Sequence, residues 1–332
     1  MNDKAAINVN VKPNANFTRL GGKSVHDRED KPYLEYRRMW MENPKQFIAR
    51  KFPIHLDIEA TNRCNLKCTF CDKLPYLKPA EFGDIDYNLY KRIIDEGMEK
   101  GLCSIKLSYR GEPLLHKRIA DMVGYAHKKG ILDLYFNTNA MLLTESKSKA
   151  LIDAGLNRIS ISVEGTDPDA FEQARIGAKF DRIKKNTEML LNFREKAGYN
   201  FPRVRMQTVA LPGIDLEEYA NYWASYCDET AAIDYKEAVE RDRELVDPEW
   251  ACPQLWQRMT IEWDGRIMPC NNDDYRLLSP GSVKDNSVEK CWNAPVVEKA
   301  RELHRLGRSH EVDACNGCPW RTTQILKAKG YK

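Results

Sequence analysis

The chain has 332 residues, of which 42% are hydrophobic, enough to bury one large core and a small additional unit. The 52 basic residues nearly balance the 49 acidic ones, and a net charge of +3 gives no reason to expect a nucleic-acid partner. No apolar stretch is long enough to span a bilayer and the first residues are polar, so we expect a cytoplasmic protein without a membrane partner. Ten cysteines in such a protein indicate metal or thiol chemistry rather than disulfides.

In chain order, the hydrophobic pattern first predicts a helix at residues 33–42, within an N-terminal extension formed by residues 1–50. Short apolar strands and amphipathic helices then alternate over residues 51–245. The predicted strands are 55–60, 104–109, 132–139, 158–164, 204–211 and 232–239. The predicted helices are 87–100, 118–129, 145–154, 182–196 and 216–226. This alternation implies an α/β fold with a parallel sheet, curled by right-handed crossovers into a partial (β/α)6 barrel of the TIM type.

Residues 246–332 have a different pattern and predict a second, smaller domain. A β-hairpin on the Asp264-Gly265 turn is followed by a helix at residues 296–306 and a cysteine-rich tail. In a parallel α/β architecture, functional side chains gather at the carboxyl ends of the strands. Motifs directly after the predicted strands are therefore the candidates for functional sites.

Cys64, Cys68 and Cys71 form a C-x3-C-x2-C pattern in the loop after the first predicted barrel strand. Three thiolates on one loop can bind three irons of a cubane cluster and leave the fourth iron open to an exchangeable molecule. Zinc is the competing metal, but a structural zinc site needs four ligands and no fourth lies nearby. The spacing therefore favours an iron–sulfur cluster with an open iron.

A second group of cysteines lies in the tail, at Cys252, Cys270, Cys315 and Cys318. Four thiolates make a closed site, and their spacing alone suits either zinc or a four-iron cluster. Three further cysteines, Cys103, Cys227 and Cys291, lie away from the predicted strand ends, and we expect them to be unreactive buried thiols.

The C-x3-C-x2-C loop after a first strand resembles the radical S-adenosylmethionine (radical SAM) superfamily, over residues from about 52 to 240. The tail is similar to the auxiliary-cluster extensions of that superfamily, called SPASM in the long form and twitch in the short form. Gln324 occupies the first of the later cysteine positions of the long form, so the resemblance implies a single auxiliary cluster. It also implies two 4Fe–4S clusters, S-adenosylmethionine, release of a 5′-deoxyadenosyl radical, and an electron donor such as flavodoxin or ferredoxin.

The resemblance further implies contacts to S-adenosylmethionine. The segment from Tyr109 to Pro113 stands where the superfamily carries its GGEP motif, with Arg110 in place of the first glycine. The motif is expected to bind the methionine amino group, an aromatic residue to lie near the adenine, and strand-end residues to contact the ribose and carboxylate. The residues assigned in this way are Phe70, Gly111, Glu112, Asn137, Asn139, Ser162, Glu164 and Arg175.

The sequence says less about the substrate and its reaction than about the cofactors. No cysteine able to return a hydrogen atom lies near the strand ends, so two-electron oxidation is favoured over epimerisation. About fifty residues precede the barrel, fewer than a leader-peptide-binding domain, which favours a carbohydrate, aminocyclitol or nucleotide sugar over a peptide. The alternatives are an epimerase, a peptide-modifying maturase and a non-enzymatic zinc-binding module. The candidate substrate contacts are Tyr109, Arg110, Arg205, Gln207, Tyr235, Glu237, Asn272 and Asp273, with Asn271 and Asp274 beside them.

Overall fold

The computed structural model describes residues 11–13, 17–76, 78–235 and 243–330. Its strands are β1 (Phe17–Gly22), β2 (His55–Ile58), β3 (Lys67–Cys68), β4 (Ser104–Lys106), β5 (Asp133–Thr138), β6 (Arg158–Ser162), β7 (Arg175–Ile176), β8 (Arg203–Ala210), β9 (Glu229–Asp234), β10 (Arg258–Ile261) and β11 (Ile267–Met268). Its helices are α1 (Lys31–Lys45), α2 (Tyr87–Lys100), α3 (Ile119–Lys129), α4 (Glu145–Asp153), α5 (Pro168–Ala174), α6 (Phe180–Lys196), α7 (Leu216–Trp223), α8 (Gln254–Gln257), α9 (Val288–Trp292), α10 (Pro295–Arg305) and α11 (Pro319–Ala328).

The main sheet confirms the predicted partial barrel. Strands β2, β4, β5, β6, β8 and β9 are parallel neighbours in that order, and helices separate them along the chain. These six strands correspond to the six predicted ones. Parallel strands need long crossovers, and the helices supply them. Carboxyl ends therefore meet at one rim of the barrel.

The sheet is wider than predicted because both flanking regions add strands to it. Strand β1, from the predicted N-terminal extension, pairs antiparallel with β9. Strand β10, from the predicted second domain, lies parallel to β2 and carries β11 as its hairpin partner. The hairpin at Asp264-Gly265 is thus a continuation of the barrel sheet.

Strand β9 begins three residues earlier than predicted, and part of its predicted range lies outside the described residues. Glu229, its first residue, is buried although it is charged. Its carboxylate accepts hydrogen bonds from Arg205 Nε (2.6 Å) and from the backbone of Val25 (2.7 Å). A charged residue is not expected at the start of a buried strand, because the sequence alone does not show the partners that a buried carboxylate needs. The prediction therefore placed the start of β9 too late.

Local signals set the helix ends where the prediction succeeded. Helix α2 begins after Asp86, whose side chain accepts a hydrogen bond from the backbone of Leu89, and ends at Gly101, where φ is 88°. Its apolar residues, including Ile93 and Ile94, pack into the core between sheet and helices. The period-3.6 pattern therefore predicted both its existence and its bounds.

The two faces of the parallel strands differ in character. Leu56, Ile105 and Ile159 pack with the surrounding helices in the main hydrophobic core. The alternate residues line the barrel lumen and include paired charges. One such pair is Arg158 with Asp133, whose Nε and Nη2 hydrogen bonds measure 2.8 and 2.9 Å. The fold thus places a polar lumen beneath the strand ends.

Candidate active site

The loop that follows β2 carries the first three cysteines. Cys64, Cys68 and Cys71 are all half-buried, and Cys68 lies in β3, opposite Arg175 of β7. This small two-stranded sheet and a hydrogen bond from the backbone of Cys71 to the carbonyl of Cys68 (3.2 Å) hold the loop in shape. The structure thus brings the three predicted ligands to the rim formed by the strand carboxyl ends.

Gly111 lies directly against this loop. A Cβ atom there would stand 2.3 Å from the carbonyl oxygen of Thr61 and 2.6 Å from that of Arg63, which no real side chain tolerates. The next backbone N–H, of Glu112, donates to the Arg63 carbonyl at 2.8 Å. A glycine is therefore required here so that the end of β4 can support the cysteine loop.

The Glu112 carboxylate is engaged within the protein. It accepts hydrogen bonds from Leu114 N (3.0 Å), Thr138 Oγ1 (2.7 Å) and Asn139 N (2.8 Å). Burial raises the pKa of Glu112, while these hydrogen bonds act in the opposite direction. Asn139 continues the chain of contacts by donating from Nδ2 to Asn65 Oδ1 (3.0 Å). The observed role of both residues is to join β5 to the cysteine loop, and their contact with S-adenosylmethionine stays a prediction.

Arg175 and Glu164 form a buried ion pair, with Nη2 of the arginine 2.8 Å from Oε1 of the glutamate. The remaining Nη1 lies 3.7 Å from Cys68 Sγ, and the guanidinium lies 5.3 Å from the centre of the Phe70 ring. The structure thus brings three of the predicted cofactor contacts together beside a cluster ligand.

Arg110, which the sequence predicts to contact substrate, binds carboxylates within the protein. Its Nε and Nη2 atoms each lie 2.8 Å from a carboxylate oxygen of Glu59, and Nη2 also lies 2.6 Å from Glu262 Oε1. Arg276 pairs with the same Glu262. The Nε and Nη2 donors of Arg110 are therefore bound to carboxylates within the protein, and the residue's contact with substrate stays a prediction.

A polar bridge that the sequence analysis did not single out joins the two cysteine-containing loops. Lys73, two residues after Cys71, donates from Nζ to both carboxylate oxygens of Asp274 at 2.8 Å. Tyr109 donates its hydroxyl to Asp274 Oδ1 at 3.0 Å. Asp274 follows Cys270 by four residues, so its carboxylate links the loop of the tail cysteines to the loop that carries Cys71. The short spacing to both cysteine loops was the available signal.

The neighbouring Asp273 has a different role from the one predicted. It is buried, and its carboxylate accepts hydrogen bonds from the backbone of Leu277 (2.9 Å) and Leu278 (2.8 Å). It therefore shapes its own loop and does not face a substrate. Asn272 lies against the cysteines, with its backbone N–H 3.2 Å from Cys270 Sγ.

The remaining predicted contacts divide between the lumen and the barrel rim. Asn137, Arg205 and Gln207 line the lumen, and Ser162 ends β6 above them. Tyr235 follows the last residue of β9, while Glu237 lies outside the described residues.

The four tail cysteines line one cavity. Its other walls are almost entirely apolar and include Trp250, Leu255, Leu278, Ala314 and Trp320. A zinc ion would need sulfurs about 2.3 Å from one point. Among the described residues, no three His, Cys, Asp or Glu side chains gather tightly enough to hold a single ion. Sulfurs spread around an enclosed apolar space fit a larger group, such as an iron–sulfur cluster.

Burial also affects the acidity of these thiols. It raises the pKa of Cys252 and Cys315 well above the usual range, and that of Cys64 to about 11. A buried thiolate is costly without a compensating positive charge. Iron bound to the sulfurs would supply that charge, so the donor sets fit the cluster type.

His304 contacts the auxiliary site from α10. Its Nδ1 accepts a hydrogen bond from the backbone of Cys252 at 3.1 Å, and its Nε2 lies 3.3 Å from Cys315 Sγ. Burial lowers the pKa of His304 to about 3, so the ring is neutral. Since Nδ1 is the acceptor, Nε2 carries the proton and donates it toward the sulfur. The sequence offered no spacing signal for this residue.

Comparison with known proteins decides the family. A model of the radical SAM superfamily matches residues 58–222, and a model of an iron–sulfur cluster-binding domain, SPASM, matches residues 252–319. The tungsten-containing aldehyde ferredoxin oxidoreductase cofactor-modifying protein of Pyrococcus furiosus is 34% identical over 80% of this chain and 87% of its own length. The chain belongs to the radical SAM superfamily. Its cofactors are accordingly 4Fe–4S clusters and S-adenosylmethionine.

Two further similarities are to a cyclase and to a solved structure. A GTP 3′,8-cyclase of Desulforamulus reducens is 28% identical over 51% of this chain and 50% of its own length. Among solved structures, BtrN in complex with AdoMet and 2-DOIA has a TM-score of 0.55 and 18% identity, covering 81% of this chain and 94% of BtrN. At that identity the likeness shows the fold alone. Within the described ranges, no helix has the length and apolar character needed to cross a membrane.

We expect the anaerobically purified protein to contain about eight iron atoms, as two four-iron clusters require. Changing Cys64, Cys68 and Cys71 together to Ala should remove about half of this iron, because the tail cysteines keep their own cluster. Iron analysis and electron paramagnetic resonance measure the result. Changing Cys103, Cys227 and Cys291 to Ser is the matched control and should leave the iron content unchanged. Full iron in the first triple variant would refute the ligand assignment.

Replacing His304 with Leu should lower the reduction potential of the auxiliary cluster. The substitution removes an N–H donor next to Cys315 Sγ, and such donors stabilise the more negative, reduced state. Potentiometric titration followed by electron paramagnetic resonance measures the shift. Replacing the partly exposed His310 with Leu serves as the control, and equal potentials in the two variants would contradict the assignment.

Proposed function

We propose that this radical SAM enzyme oxidises an alcohol group of a small polar substrate, such as a carbohydrate, aminocyclitol or nucleotide sugar. The observation that carries the proposal is the Asp274 carboxylate, which Lys73 and Tyr109 hold between the two cysteine loops. When bound, the first cluster and S-adenosylmethionine would supply a 5′-deoxyadenosyl radical to abstract a hydrogen atom, and the auxiliary cluster would accept the second electron of the oxidation. The residues of the chain must then position the substrate and remove its hydroxyl proton.

The lumen favours a small polar molecule. Asn137, Ser160 and Gln207 present amides and a hydroxyl on three adjacent strands, below the carboxyl ends. Such groups can orient hydroxyls by hydrogen bonding. The Pyrococcus furiosus relative is described as modifying a cofactor, which also supports a small-molecule substrate.

Asp274 is suited to accept the proton of a substrate hydroxyl at its carboxylate oxygens. Its side chain is 14% exposed, in contrast to the fully engaged Asp273. Lys73 and Tyr109 fix its orientation by donating hydrogen bonds to it. A positioned carboxylate of this kind can take up the proton as the substrate carbon is oxidised.

Oxidation is favoured over epimerisation by the location of the thiols. All ten cysteines lie in the described part of the chain. Cys103 and Cys227 precede β4 and β9 and so lie at the amino ends of the strands, while Cys291 belongs to α9. Burial raises the pKa of Cys103 to about 11 and of Cys227 to about 12, as expected for unreactive thiols. No cysteine other than the predicted ligands thus stands ready to return a hydrogen atom.

The product should be lighter than the substrate by the mass of two hydrogen atoms. Mass spectrometry of anaerobic reactions with a panel of sugars, aminocyclitols and nucleotide sugars measures this loss, with 5′-deoxyadenosine as the reporter of turnover. One S-adenosylmethionine should be consumed for each product molecule formed. A product of unchanged mass in H2O that gains one mass unit in D2O would show epimerisation and overturn the oxidation proposal.

Replacing Asp274 with Asn should lower product formation about 10²-fold or more while 5′-deoxyadenosine continues to form, because proton removal is lost and radical generation is kept. Lys73→Met breaks the same ion pair but keeps the carboxylate, so it should retain more activity than Asp274→Asn. Asp313→Asn, at an exposed position of the same domain, is the control. If Lys73→Met and Asp274→Asn lose product equally, Asp274 acts only as a link between the loops.

A further inference from the structure

The barrel lumen is lined by several positively charged side chains as well as by neutral polar ones. The cavity between the parallel strands and α1 is lined by Arg37, Lys106, Arg158, Arg205 and Arg258. These five cations come from a helix and from four different strands, so the fold, and not a local sequence run, brings them together. The cavity has an empty volume of about 820 Å³, open solvent included.

Three carboxylates pair with four of these cations. Asp57 lies 2.7 Å from Lys106 Nζ and 3.2 Å from Arg258 Nη1. Asp133 binds Arg158 through two hydrogen bonds, and Glu229 binds Arg205. Among the described residues, Arg37 has no carboxylate within salt-bridge distance, and its guanidinium stacks near Tyr36 and Trp40. The lining therefore carries an excess of two positive charges over these carboxylates.

Donor atoms in the cavity remain without partners. Arg205 is only 6% exposed, yet its Nη2 has no hydrogen-bond acceptor among the described residues. The Nε atom of Arg258 likewise has no hydrogen-bond acceptor among the described residues. Buried donors of a charged group are costly to leave unpaired, so their presence in a lining indicates a missing acceptor.

His26 lines the same cavity and lies close to its positively charged side chains. Its Nδ1 lies 2.6 Å from the Tyr33 hydroxyl, at the wall of the cavity. Burial lowers the pKa of His26 well below its usual value, and Arg158, Arg37, Arg205 and Arg28 lower it further. Three of these arginines, Arg37, Arg158 and Arg205, also line the cavity, so their positive charge extends to the His26 ring at its wall.

The register of the sheet sets the distance between Arg205 and the carboxyl ends of the strands. Ser160 pairs with Arg205, and Ser162 pairs with Gln207, one side-chain repeat nearer the rim. Two residues along a strand span about 6.6–7 Å. A substrate whose oxidised carbon lies near the rim would therefore extend about one sugar ring downward before it reaches Arg205.

We propose that this cavity binds an oxyanion of the substrate, a phosphate or a carboxylate, and that Arg37 and Arg205 are its recognition residues. The inference rests on the proposed function and narrows its substrate class to anionic molecules, among which sugar phosphates and nucleotide sugars fit both the polar lining and the charge. Arginine suits this role because its planar donor fork matches the geometry of both oxyanions.

The test is isothermal titration of the anaerobic, cluster-loaded protein, saturated with S-adenosylmethionine, with inorganic phosphate and, separately, with acetate. At least one of the two anions should bind, and its affinity should fall about tenfold or more in Arg37→Gln. Arg38→Gln is the matched control, because Arg38 is the next residue of α1 but is exposed and paired with Glu35. It should bind the anion as the unmodified protein does.

A second variant guards against a folding defect. Arg205→Lys keeps a positive charge beside Glu229 but removes the free Nη2 donor, and it should also weaken anion binding. Iron content and circular dichroism identify any variant that fails to fold. Absence of binding by either anion, or equal binding in Arg37→Gln, Arg205→Lys and Arg38→Gln, overturns the proposal. Anion binding without substrate oxidation would instead leave this site standing and refute the proposed reaction.

Discussion

The position of the auxiliary domain depends on one buried ion network. Arg110, at the end of β4, is held by Glu59 after β2 and by Glu262 after β10. Burial raises the pKa of Glu262, and the Arg110 guanidinium opposes that shift. Removing one member of such a network costs about 3–5 kcal/mol, because the others are left as unpaired buried charges. Arg110 stands where the superfamily motif has glycine, so this chain joins barrel and hairpin through a side chain that the motif lacks.

The geometry of the site follows from that attachment. The hairpin of β10 and β11 leads directly to Cys270, and the loop after Cys270 carries Asp274 to Lys73, two residues beyond Cys71. Gly111 supports the same cysteine loop from below through its close approach to Thr61 and Arg63. A shift of the hairpin would therefore move the auxiliary site and the Asp274 carboxylate together. The two cysteine groups are therefore linked through the same set of contacts.

The sequence predicted the parts of the molecule that local chemistry determines. The bounds of α2 follow from a cap, an apolar stripe and a terminal glycine, and the cysteine groups follow from spacing. It could not predict which charged residues neutralise one another across the fold. Arg110 and Asp273 resemble substrate contacts in a linear reading because their partners are distant or are backbone groups. His304 and Lys73 were missed for the same reason. Strand β1 was missed because an edge strand with one exposed face carries little hydrophobic pattern.

The cavity between the tail cysteines and the barrel lumen differ in polarity. The space between the tail cysteines is walled mainly by Trp, Leu and Ala, and the neutral His304 lies against the sulfur of Cys315. The barrel lumen has the opposite character, with arginines that exceed their carboxylate partners. An apolar shell excludes water and polar substrates, whereas excess buried cations favour an anionic one. By charge, the lumen is therefore the cavity suited to an anionic substrate, and the apolar space around the tail cysteines is suited to the auxiliary cluster.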